Sequence, residues 1–253
     1  MVATLLLASI ATSSRAATAE AVETARRLPF CADVEVDPNG VVRIGEVRGV
    51  VEALQKLVTT RLSTLELQPA QRNGEKLAAR SQLRGEVVLK PAPNDEYEVD
   101  IDSQRVTPCA IYQAIPRFPA TMAREGKSGS VLLEVRIGVD GLVVSAQALQ
   151  STRREFSDAA LESARQWTFE PQWLGGEPVE VVIQWPVVFH METCISLDKC
   201  AATDASSMSS RTFDCTWDES MPRVSGQPAC ADSMEVRGSR VRRRGGGGQI
   251  DIR

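Results

Sequence analysis

Apolar and polar residues alternate from residue 131 to 137: Val131, Leu133, Val135 and Ile137 are apolar, and the charged Glu134 and Arg136 lie between them. A period of two is that of a half-buried strand. Asp140-Gly141 follows as a two-residue hairpin signal, because glycine takes a positive φ at little cost, and residues 142–149 return as a second strand. The period then changes. Phe156, Ala160, Ala164 and Trp167 recur at i, i+4, i+8 and i+11, which puts them on one helix face. Thr152 and Glu155 stand three apart before it, the spacing of a capping box. The small alanines let such a helix lie close on a sheet. Gly175-Gly176 turns the chain into a third strand over 179–189, and a short helix is predicted after Pro119. The order is strand, strand, helix, strand.

Pro186 lies inside the third strand. Proline cannot donate to a ladder, so it favours an edge, and an edge offers unpaired backbone groups. Two readings stay open. The proline protects the edge from aggregation, or the edge formed by Glu180, Val181, Val182, Ile183, Gln184 and Trp185 takes an extended peptide by strand addition.

The pattern occurs twice. Val34, Val36, Asn39-Gly40, Val41 and Val42 match Val135, Ile137, Asp140-Gly141, Leu142 and Val143 at an offset of 101. Leu54, Leu57, Val58, Leu62, Leu65, Leu67 and Pro69 match Phe156, Ala159, Ala160, Ala164, Trp167, Phe169 and Pro171 at an offset of 102. Residues 32–89 therefore read as a degenerate copy of the same unit. Tyr97, Val99 and Ile101 alternate with Glu98 and Asp100, which predicts an added strand beside the first sheet.

Pro116, Phe118 and Pro119 open the second unit, Gly126 and Gly129 precede its first strand, and Gly141 sits at its hairpin. Trp167, Phe169 and Pro171 form a W-x-F-x-P exit from the helix, and Gly176, Val179, Pro186 and Phe189 close the set. In this order the residues resemble the C-terminal domain of the TonB family, with Phe118 in place of the usual tyrosine. The resemblance covers residues 116–189. It implies a partner-binding module of the Gram-negative periplasm, which engages outer-membrane transporters and couples them to an inner-membrane motor. Energy-transducing members carry a membrane helix and a proline-rich spacer. Neither is read in this sequence, which puts direct contact with the motor in doubt.

Residues 5–11 are apolar except for Ser9, and small residues follow to Ala19. Residues 1–19 read as a secretory signal whose basic start is missing, as if the true start lay upstream. The apolar run falls short of the roughly 20 residues that span a bilayer. Six cysteines behind such a signal suggest disulfides. Cys194 with Cys200 is the favoured pair, Cys215 with Cys230 a second, which leaves Cys31 and Cys109. From residue 193 hydrophobic periodicity is lost, and residues 193–253 read as a flexible, cysteine-containing tail. Residues 235–243 resemble the start of the plug region in some outer-membrane receptors, but Arg240, Arg242, Arg243 and Arg244 favour contact with anionic lipid or a partner.

No C-x-x-C occurs, so neither thioredoxin chemistry nor a zinc ribbon is indicated. His190 is the single histidine, and no G-x-S-x-G accompanies it. Gly126-Lys127-Ser128 lacks the upstream glycine of a P-loop, since residue 121 is Thr121. No catalytic residue, metal site or cofactor is expected. The net charge of −4 and the secretory start disfavour nucleic acid.

The sequence thus predicts an α+β protein of two strand-strand-helix-strand units, each a small antiparallel sheet with helices on one face. Residues 32–105 form the degenerate unit with its added strand, 106–118 a linker, and 119–192 the TonB-like domain. The expected location is the periplasm. The expected partner is an outer-membrane TonB-dependent receptor or another envelope protein. The alternative is a structural protein of the envelope that self-associates.

Overall fold

The computed structural model describes residues 25–196, 199–202, 213, 215, 218–224 and 233–241. The expected signal at residues 1–19 lies outside them, as does most of the tail.

The first unit begins with β1 (Arg26–Val36), β2 (Val42–Arg48) and α1 (Glu52–Leu62). Three two-residue strands follow: β3 (Leu67–Gln68), β4 (Gln71–Arg72) and β5 (Glu75–Lys76). The long β6 (Ala79–Ala92) and β7 (Glu96–Val106) complete it. After β8 (Ala110–Tyr112) and α2 (Ala120–Glu125), the second unit runs through β9 (Gly129–Ile137), β10 (Val143–Ser151) and α3 (Arg154–Ala164). Next come β11 (Thr168–Phe169), β12 (Gln172–Leu174), β13 (Glu177–Val179) and β14 (Val181–Ser196). The described parts of the tail are β15 (Lys199–Ala202), β16 (Arg223–Val224) and β17 (Met234–Val241).

The two larger sheets pair their first three long strands alike. β1 pairs antiparallel with β2 and β6, and β9 pairs antiparallel with β10 and β14. The hairpin loops carry the same hydrogen bonds. Asp37 N–H donates to Val41 O and Gly40 N–H to Asp37 O; Gly138 N–H donates to Leu142 O and Gly141 N–H to Gly138 O. The helix exits agree as well. Leu65 N–H donates to Leu62 O, and Trp167 N–H donates to Ala164 O. At the hairpins glycine is obligatory in the same way: φ is +87° at Gly40 and +80° at Gly141, and a Cβ would meet Leu67 O at 2.8 Å and Phe169 O at 2.0 Å.

The units share one core. The β12–β13 hairpin of the second unit joins the first sheet, pairing Trp173 and Leu174 with Arg80 and Ala79 of β6. Buried Gln172 fixes the seam, accepting from Ser81 Oγ at 2.5 Å and donating to Gln82 Oε1 at 2.7 Å. Residues 106–118, expected as a linker, are built into the body. Cys109 is bonded to Cys31 of β1, β8 pairs with β11, and Ala114 O accepts Trp167 Nε1–H at 3.0 Å. Thr107 N–H donates to Gln82 O, which holds the start of this segment on the sheet.

Several details differ from the sequence reading. Thr152 does not cap α3, which has no side-chain cap. Its Oγ1 accepts Ser130 N–H at 3.0 Å instead, clasping β9. Leu57, matched to Ala159 in the repeat, is 40% exposed; Val58 and Leu62 are the buried residues of α1. The third strand breaks at Glu180 and runs on to Ser196. Strands are described within the segment expected as a flexible tail. Its residues 234–241 form a strand beside β14 and α2, in which Met234, Val236 and Gly238 alternate with Glu235 and Arg237.

Cys194 and Cys200 are register partners in the β14–β15 ladder, while their side chains lie outside the described ones. The bridge that is described is Cys31–Cys109, the pair left over by the sequence argument. Among the described residues, no helix is long and apolar enough to cross a membrane.

Candidate functional site

The signature residues cluster at the core of the second unit. Phe118 is 4% exposed and stands edge-on to Phe156 and Phe189, each at a centroid distance of 5.8 Å. Trp167 meets Trp185 at 5.6 Å and Phe169 at 6.3 Å. Pro119 is the N-cap of α2, and Gly126 ends it at φ +68°. There Gly126 N–H donates to Ala123 O and Lys127 N–H to Met122 O, a glycine-capped exit. Gly129 is required by closeness, since a Cβ would lie 2.1 Å from the Phe156 ring. Pro171 packs near the hairpin, its Cδ 3.7 Å from a Cβ built on Gly141.

β14 has two sides. Toward β9 it is paired from Val181 to Phe189. Backbone groups alternate along a strand. Val182 N–H donates outward to Asp218 Oδ2 at 2.7 Å, and Met191 N–H donates inward to Ser128 Oγ at 3.0 Å. Even-numbered residues therefore turn their backbone groups outward. Of the predicted docking stretch, Val181, Ile183 and Trp185 turn both backbone and side chain inward, at 0%, 6% and 2% exposure. Glu180 precedes the strand and binds Arg136 at 2.6 Å. Its carboxylate holds the Arg136 guanidinium above its ordinary pKa, chiefly through that hydrogen bond. Val182 and Gln184 are left facing the outer edge, with the Val182 amide held by Asp218. Pro186 has no N–H to offer there.

Beyond Pro186 the outer edge is covered. β17 runs parallel to β14 from Val187–Met234 to Cys194–Val241. Its polar side chains meet those of β14: Glu235 pairs with His190 Nε2, and Arg237 reaches Glu192 Oε1 at 3.4 Å. Val236 is buried on the other face, and β17 lies beside α2. The corresponding edge of the first unit is closed too, where β7 pairs antiparallel with β6. The residues that sequence reasoning left out are therefore His190, Met191, Glu192 and Asp218, with Gly238 opposite. The alternation of 234–238 was their one sequence signal.

Residues 114–191 match the family model described as Gram-negative bacterial TonB protein C-terminal. This segment is a TonB C-terminal domain. The chain is 36% identical over 81 residues to Protein TonB of Vibrio cholerae, covering 32% of this chain and 33% of that protein. It is 30% identical over 94 residues to Protein TonB of Xanthomonas campestris pv. campestris, covering 37% and 39%. With Protein tonB2 of Pseudomonas aeruginosa it shares 29% over 82 residues, covering 32% and 30%. The chain thus spans between 30% and 39% of the length of these relatives. No solved structure gives a significant match.

Proposed function

We propose that the TonB C-terminal domain of this chain docks an extended segment of an outer-membrane TonB-dependent receptor in the periplasm. The segment adds as a strand along the outer edge of β14, in support of TonB-dependent transport. The observation that carries this reading is that the edge already accepts an added strand, β17, over Val187 to Cys194. Strand addition draws its affinity from main-chain hydrogen bonds, and the even-numbered residues of β14 supply them. Val182 lies on the other side of Pro186, where Asp218 would have to release its amide.

The first unit is, in this reading, a degenerate copy of the same domain. Its support is the like pairing of the long strands, the matched hairpin hydrogen bonds and the paired glycines Gly40 and Gly141. With its equivalent edge closed by β7, it serves as scaffold. A periplasmic location accords with the Cys31–Cys109 bridge, since disulfides persist in oxidising compartments. Cys194 and Cys200 form a second bridge in the same proposal: directly opposed antiparallel residues lie about 4.5–5.5 Å apart at Cα, inside the range a disulfide spans.

One observation favours the alternative of self-association. β10 ends its sheet with Val144 61% and Leu149 42% exposed. Titration of labelled N-terminal receptor peptides against the full chain, with sedimentation velocity alongside, separates the two. Saturable binding by a monomeric chain supports docking. A dimer that binds none of the peptides supports the alternative.

A further inference from the structure

We infer that the groove between β14 and α2 reads the sequence of the strand it holds. A partner segment entering it runs parallel to β14 with the alternation apolar, acidic, apolar, basic, glycine, and takes the place of β17. This deepens the docking reading and rests on it.

The resident strand displays the pattern. Register places Met234, Val236 and Gly238 beside Val187, Phe189 and Met191, on the core face. Val236 is 4% exposed there. A Cβ on Gly238 would stand 2.8 Å from Phe118 Cδ2 and 2.9 Å from Met191 Cε, so this place admits no side chain. Phe118 cannot swing aside cheaply, being wedged edge-on against both Phe156 and Phe189. On the opposite face His190 takes the Glu235 carboxylate, whose other oxygen accepts Ser233 Oγ–H at 2.9 Å, and Glu192 takes Arg237. Backbone pairing alone tolerates varied sequences. Here a steric stop and two polar side-chain pairings add rejection of wrong partners.

Resident and incoming strands need the same outward backbone groups of Val188, His190 and Glu192, so they exclude one another. The tail is a tethered competitor. A tethered strand acts at an effective concentration of up to about millimolar. A resident strand with an intrinsic Kd of about 0.1 mM would then weaken the apparent affinity of a partner about tenfold.

The test uses the full oxidised chain and a labelled synthetic peptide of residues 233–241. Three chains are compared: wild type, Gly238→Leu, which drives a side chain into Phe118, and Val236→Asp, which places a charge in the buried face. Both variants are expected to bind the peptide about tenfold more tightly than wild type, and a peptide carrying Gly238→Leu to bind none of the chains. Adding His190→Glu to the Gly238→Leu chain should weaken binding, and a peptide carrying Glu235→Lys should restore it. Equal affinity across the three chains overturns the competition. Equal binding of the leucine peptide overturns the pattern. A wild-type dimer lost in Gly238→Leu would put the tail of a second copy in the groove and overturn the partner assignment.

Receptor peptides run in parallel distinguish the two failures. If they bind every chain equally and the 233–241 peptide does not displace them, the groove inference fails and docking stands. If the 233–241 peptide behaves as described and no receptor peptide binds, the docking reading fails and the groove stands.

Discussion

Replacing Trp167 by alanine tests how the second unit is held together. The side chain is 1% exposed, packs against Trp185 and Phe169, and donates Nε1–H to Ala114 O at 3.0 Å. Burying an aromatic of this size removes roughly 150–250 Å² from water. At about 25 cal/mol/Å² that is about 4–6 kcal/mol. Partial collapse of the cavity returns some of it, so Trp167→Ala should cost about 3–5 kcal/mol. Trp167→Phe separates the contributions. It keeps a ring in place and forfeits the indole bond, while Ala114 O still accepts Ser163 Oγ–H, so about 1–2 kcal/mol is expected. The assay is urea denaturation followed by circular dichroism. With a slope of about 2 kcal/mol/M, the alanine variant should melt about 2 M earlier. Because both units lie in one core, the transition should stay single. A midpoint shift under about 0.5 M, or two separate transitions with the first unit unaffected, would refute the packing argument.

Three further outcomes are expected. Peptide mapping of unreduced protein should find Cys31 joined to Cys109; the pair is 78 positions apart, so its loss in a double serine variant should cost roughly 4–5 kcal/mol by the chain-entropy estimate, and alkylation of both thiols in native protein would contradict the fold. Gly141→Ala should destabilise more than Gly40→Ala: each forces a side chain into positive φ at about 1–3 kcal/mol, but the Cβ clearance to the facing carbonyl oxygen is 2.0 Å at Gly141 and 2.8 Å at Gly40, and equal melting temperatures would contradict the hairpin geometry. The N–H groups of Val41 and Asn39 hold the Asp37 carboxyl below its ordinary range; a lowered folded-state value contributes stability above the unfolded carboxyl value and loses it as pH falls through the folded one, so the melting-temperature gap between wild type and Asp37→Asn should be constant above about pH 5 and close in acid, and a gap that widens in acid would reverse the sign.

The strands and helix between residues 129 and 189 were legible because their signals are local. The period-two run 131–137, the Asp140-Gly141 hairpin and the helix face of Phe156, Ala160 and Ala164 each act within a dozen residues. Trp167 fell on that helix face at i+11, while Phe169 entered only through the W-x-F-x-P exit that carries the resemblance. What stayed hidden depends on contacts far apart in sequence. Nothing near Thr152 shows that its hydroxyl prefers Ser130 across the sheet to the start of α3. Cys109 and Ala114 look like linker residues until Cys31 and Trp167 arrive beside them. Periodicity located the third strand but could not tell which neighbour takes its second edge, and the answer lies 36 to 45 residues on, where Val182 meets Asp218 and His190 meets Glu235. Five alternating residues in a polar tail carry too little hydrophobic signal to announce a strand; β14 and α2 supply the missing burial.

Amide hydrogen exchange with and without a saturating receptor peptide tests the central claim most directly. The account predicts that amides of Met234–Val241 lose protection when the peptide binds, while Val188, His190 and Glu192 keep theirs because one strand replaces another. Peptide binding that leaves Met234–Val241 fully protected would place the docking site elsewhere and contradict the account.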